Sequence, residues 1–223
     1  LGVKTFRKRL DLRMSSVSFF MEISFFFYTF AIHLIINVKK ETLNYKDLFQ
    51  KVISLLSAPG KAWDEIEQRS EGRAVMTSFV YPLIGLCGLS EFVGSFIGKD
   101  LDPELFQVAL TRCCAVAVAL FGGFFLAVYL LEKLGEHWLV RFESHERMMV
   151  FVGYSLVVTF VLDIISGLFS IAVLHWILQV YTLFIVFEGA RRLMKVEESR
   201  LTGYTVIATI IILLCPTLIE FYI

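Results

Sequence analysis

"FVGYSLVVTFVLDIISGLF" (Phe151–Phe169) is almost wholly apolar, with a single acid, Asp163, set deep inside it. A bilayer core of roughly 30 Å needs about 20 apolar residues in helical form, so this stretch is long enough to cross one. Four other blocks share the pattern. Together with Met148–Leu168 they are Ala74–Ile97, Leu105–Leu131, Ile171–Glu188 and Gly203–Ile223. Only "SGLFS" joins the third block to the fourth, which predicts a tight helical hairpin. Of the 223 residues 57% are hydrophobic and 22 are Phe, and the mean hydropathy is +0.72. A soluble domain is about 45–50% apolar. Backbone amides in lipid must be satisfied within their own segment, so the blocks must be helices. No alternating ten-residue pattern supports a barrel. The predicted fold class is therefore all-α: a polytopic membrane protein with five transmembrane helices and a short amphipathic cytoplasmic helix.

Basic residues set the orientation. Lys46, Lys51, Lys61, Arg69 and Arg73 precede the first of the five blocks. Lys133, Arg141 and Arg147 lie in the second loop, and Arg191, Arg192, Lys195 and Arg200 in the fourth. Lys99 alone lies on the other side. The expectation is a multi-pass protein of the cell (inner) membrane, with the residue-46 end cytoplasmic and the C-terminus outside. The same bias bears on residues 1–42. Val17–Val38 is long enough to span, yet Lys4, Arg7, Lys8, Arg9 and Arg13 before it would then lie outside. No small-residue cleavage site follows, and Glu22 interrupts the apolar run, unlike a signal peptide. Residues 1–42 are accordingly expected to come from a start read too far upstream, with the native chain opening near Leu43. Residues 43–73 then form a cytoplasmic segment and 74–223 the five-span membrane domain.

Within "YKDLFQKVISLLSAPGKAWDEI" (Tyr45–Ile66), Leu48, Phe49, Val52, Ile53 and Leu56 share one helical face, opposite Lys46, Asp47, Gln50 and Lys51. Pro59 ends the helix, and Trp63 suits the headgroup layer. The segment is read as lying on the cytoplasmic membrane interface; the alternative is that it packs on the cytoplasmic loops.

Four features in order resemble the Yip family, membrane proteins named for interaction with Ypt/Rab GTPases. They are "LLSAPGKAWDEI" (55–66), a span opening "VYPLIGLCGL" (80–89), "GYSLVVT" (153–159) with its Gly153, Tyr154 and Ser155, and the basic "ARRLMKVEESR" (190–200) before a last span. The likeness covers about residues 45–223. It implies a five-span fold that organises membrane or recruits partners, without a reaction. Eukaryotic members carry a cytosolic Asp-Leu-Tyr-Gly-Pro type motif. None precedes Ala74, so Rab GTPase binding is not carried over and a bacterial member is expected. The implied partners are the lipid bilayer and a protein reached through the cytoplasmic segment and loop 189–202.

Charges inside spans are costly and are functional candidates. At about 1.5 Å per residue, Asp163 lies about 22 Å from the cytoplasmic end of its span. Glu91, Arg112, His175 and Glu220 fall toward the same outer face. One reading is an outward-facing polar pocket with Arg112 paired to Glu91 or Asp163, which would serve a small transporter or lipid-handling protein. The other is that these groups meet interfacial water. Gly94 and Gly98 form a G-x-x-x-G, and Ala115, Ala119 and Gly123 recur at four-residue spacing, as helix-packing rows do. The four cysteines, Cys87, Cys113, Cys114 and Cys215, lie in apolar blocks without a C-x-x-C pair and read as small hydrophobes. There is no H-E-x-x-H, G-x-S-x-G, P-loop or G-x-G-x-x-G. Catalysis, metal, cofactor and, at zero net charge, nucleic acid are not expected.

Overall fold

A computed structural model describes residues 45–69, 72, 74–99, 103–138, 144–169 and 178–222. All of them belong to the unit Leu43–Ile223. The doubtful extension 1–42, His175 and the first half of the fourth predicted span lie outside the described residues, as does the far side of the "SGLFS" hairpin. The described elements are helical: α1 (Tyr45–Ser57), α2 (Pro59–Arg69), a π-turn (Met76–Val80) running into α3 (Tyr81–Gly94), α4 (Pro103–Trp138), α5 (His145–Ser155), α6 (Val157–Phe169), α7 (Tyr181–Arg192) and α8 (Glu198–Tyr222).

Among the described residues, four helical stretches are long and apolar enough to cross a membrane: Met76–Gly94, Glu104–Glu136, His145–Phe169 and Glu198–Tyr222. The fourth predicted span, Ile171–Glu188, is not among them. Its described part, α7, has 12 residues and rises only about 18 Å. The central strut is α5–α6, whose most apolar stretch is 78% buried against 39–50% for the other three. It carries a slight break at Leu156, yet the ladder continues across it through Leu156 N–H to Val152 O (3.1 Å) and Phe160 N–H to Leu156 O (3.0 Å).

Local sequence explains the irregular entry into α3. Pro82 has no N–H, so the carbonyl one turn earlier loses its helical donor. The chain widens instead into a π-turn, in which the Tyr81 N–H reaches back to Met76 O. The Ser78 hydroxyl donates to Ala74 O at 2.7 Å. Pro216, by contrast, sits inside a continuous α8.

The outer faces carry apolar side chains. On α8, Val206, Ile210, Leu214 and Leu218 recur every four residues and are exposed, whereas Tyr204, Ala208, Ile212 and Cys215 are buried. An exposed apolar stripe backed by a packed face is what a lipid-facing helix presents.

Small residues set the closest approaches. A Cβ on Gly94 would stand 1.7 Å from the Gly167 carbonyl oxygen, so α3 and α6 cross backbone to backbone there. Gly123 of α4 meets the Pro216 backbone of α8, where a Cβ would lie 2.6 Å away. Ala119 is buried and Ala115 half-buried. Gly98 makes no such approach: it has open space around it and φ +73, a left-handed position just past the end of α3.

Candidate functional site

Two regions hold the residues singled out by sequence, and they lie at opposite ends of the bundle. The first is where α1 and α2 dock. Trp63 is 0% exposed, so it does not sit in a headgroup layer. Its indole N–H donates to the Ile185 carbonyl of α7 at 3.0 Å. Its ring lies against Gly189, where a Cβ would come within 2.7 Å of it. Phe151 and Tyr154 flank it at 6.0 and 6.1 Å between ring centroids. Tyr154 in turn meets Phe79 at 4.5 Å. Tyr154, fully buried, is therefore the centre of an aromatic core. Gly153 leaves room for Val80 and Val75, and Ser155 is buried.

The interfacial reading of α1 is corrected for half of its face. Leu48 and Val52 are buried with Leu55, and Leu56 is half-buried. The Leu56 carbonyl accepts a hydrogen bond from the Tyr181 hydroxyl at 2.9 Å. Pro59, buried, opens α2. This face packs on protein because the apolar sides of α6 and α7 are there to receive it. Tyr45, Phe49 and Ile53 turn outward at four-residue spacing, 59%, 52% and 62% exposed.

Charge tightens the same region. Arg192 bonds Asp64 at 2.5 Å and Glu188 at 2.6 Å. Those hydrogen bonds, Asp64 first, hold its guanidinium above its usual pKa. Lys195 pairs with Glu67 at 2.6 Å, and Arg191 with Glu198 at 3.5 Å. The basic loop thus spends three of its charges inside the molecule. Each such pair is partly exposed and contributes little alone, about 0.2–1 kcal/mol.

The second region is a cavity of about 270 Å³ between α3, α4, α6 and α8. Glu91, Asp163 and Glu220, three of the five acids and bases predicted to cluster, all line it. Arg112 does not. It is exposed on α4, outside ion-pair contact with either acid, and reaches Glu91 only through its field. Its side chain turns outward from α4, while Glu91 and Asp163 line the cavity. Thr159, Ser166, Gln179 and Thr217 complete the polar lining and were not singled out beforehand. A signal existed: Thr159, Asp163 and Ser166 follow one another at four and three residues along α6, and Thr217 precedes Glu220 by three. Among the described residues, no group of three or more His, Cys, Asp or Glu could hold a metal ion.

Comparison with known families matches residues 53–219 to the Yip1 domain. Comparisons with curated proteins and with solved structures give no match.

Proposed function

The chain belongs to the Yip1 domain family and is a multi-pass membrane protein, and from that premise we propose that it is non-catalytic, organising membrane or recruiting a protein partner at its α1–α2 end. The observation that carries this reading is the outward row Tyr45, Phe49 and Ile53 on α1, a helix whose other face, Leu48, Val52 and Leu55, is buried and whose Leu56 carbonyl is held by the Tyr181 hydroxyl. A rigidly held helix with a free apolar row is a docking element. The basic loop, engaged in internal ion pairs, supports the dock instead of forming it.

A fifth crossing belongs to the same proposal. Described elements at both ends support it. Gly167, near the end of α6, packs on Ser90 and Gly94 beside the cavity. Gln179 lines that cavity, whereas Arg192 reaches Asp64 of α2. Residues 179 to 192 thus run from the cavity toward the α1–α2 end, the direction a fifth crossing takes. With five crossings, the basic bias puts the α1–α2 end in the cytoplasm and the end of α8 outside, in a bacterial inner membrane.

The test is co-purification from native membranes in mild detergent, comparing the wild-type chain with a Tyr45→Ser, Phe49→Ser, Ile53→Ser variant. A stoichiometric protein partner is expected with the wild type and lost from the variant at unchanged thermal stability. Identical sets of bound proteins would remove the reading.

The cavity favours a second reading, a small transporter or lipid-handling protein. Three carboxylates drawn from three helices into one cavity exceed what packing of those helices requires.

A further inference from the structure

α7 and α8 are packed neighbours joined by residues 193–197, and they form an apolar groove of about 600 Å³. On α7 the row Val180, Phe184, Phe187 and Arg191 keeps to one face at four-, three- and four-residue steps. On α8 the row Glu198, Thr202 and Val206 does so at four-residue steps. All of these except Arg191 and Glu198 line the groove. Each row thus ends in a charge, and the two charges meet, Arg191 with Glu198 at 3.5 Å. The groove is apolar along its length and ionic at one end.

Depth gives that order a meaning. Glu198 opens α8, a helix long and apolar enough to cross a membrane. The ionic pair therefore stands where the span begins, at headgroup level. It lies at the α1–α2 end, because the neighbouring Arg192 bonds Asp64 of α2. From Phe187 back to Leu178, which also lines the groove, the chain rises about 14 Å. One leaflet holds about 15 Å of hydrocarbon. Leu178, Val180 and Phe184 are exposed along this stretch.

An ionic group followed by an apolar strip one leaflet deep is the order of chemistry within a phospholipid. The Arg191–Glu198 pair does not close the mouth. Its side chains are 53% and 86% exposed, and such a pair contributes only about 0.2–1 kcal/mol. A phosphate offers two oxygens to the guanidinium fork and displaces the carboxylate at small cost. A helix from a second copy would match the strip but gives no reason for the ionic end.

The geometry points to a site for one membrane phospholipid, with an acyl chain along the groove and its phosphate on Arg191. Glu198 is the competitor for that cation. The site is separate from the acid-lined cavity and from the outward row of α1. It goes beyond both readings above, and needs only that α8 crosses the membrane.

The full chain, purified in mild detergent and washed free of lipid, is titrated with dioleoylphosphatidylglycerol or with dioleoylglycerol, which has the same chains and no phosphate. Bound lipid is counted by native mass spectrometry. One phosphatidylglycerol per chain is expected, held about tenfold more tightly than dioleoylglycerol. Arg191→Gln removes that difference, and Glu198→Gln widens it by freeing Arg191. Val206→Trp fills the groove and weakens both lipids. The three positions are exposed, so thermal unfolding should not change; if Val206→Trp does unfold, Thr202→Trp takes its place. Equal retention of the two lipids by the wild-type chain overturns the proposal, as does retention unmoved by Arg191→Gln and the groove-filling variant. A dimer that Val206→Trp breaks, with no lipid bound, also overturns it and assigns the groove to a second copy.

Discussion

Trp63 is the residue on which the α1–α2 end depends. Its ring is enclosed by α7, Phe151 and Tyr154, and its one polar atom is satisfied by Ile185 O. Trp63→Ala should cost about 3–5 kcal/mol, and Trp63→Phe only about 1 kcal/mol from the lost hydrogen bond. Denaturant titration in detergent micelles checks both. Equal costs would mean that the ring is not seated on Gly189. A sequence reading sends Trp63 to the headgroup layer because tryptophan is enriched there. Nothing local says otherwise, because the notch that receives it is a glycine 126 positions later. The acids were easier to read. Their depth along each span follows from the helix rise alone, which brought Glu91, Asp163 and Glu220 to one end. Arg112 has the same depth, but helix rotation turns it outward, and rotation is not fixed by depth.

At the scale of elements, the bundle is organised by where helices can touch. The α3–α6 crossing at Gly94 and Gly167 has no room for a methyl group. Gly94→Ala must push the helices apart or shift one along the other, at about 1–3 kcal/mol. Gly85 is on the same helix with nothing within 4 Å. Gly85→Ala should therefore be neutral or stabilising by up to about 1 kcal/mol, the helix propensity difference. Thermal unfolding of the two variants separates them; similar behaviour would contradict the crossing. The G-x-x-x-G pattern drew attention to Gly94, where the close approach does occur, but also to Gly98, which has nothing within 4 Å. Gly167 sits in "SGLF" with no second small residue at four-residue spacing, so no motif marks it. The π-turn was half legible: Pro82 announces a break, but not that the chain widens to absorb it.

At the scale of the whole molecule, the two regions differ in character. One end presents an anchored helix with a free apolar row, and the other holds an acid-lined cavity. Composition and block length were enough to read a helical membrane bundle, since 20-residue apolar runs have few other uses. The count of crossings was harder, because α7 is short, carries Glu188 and ends on Arg191 and Arg192. Single cysteines at the two ends, Lys61→Cys and Phe221→Cys, each in a chain whose four native cysteines are replaced by alanine, test the arrangement most directly. A membrane-impermeant maleimide is added to intact cells and then to opened ones. Five crossings predict that Phe221→Cys labels in intact cells and Lys61→Cys only after the membrane is opened. Labelling of both from the same side would make the number of crossings even and contradict the account.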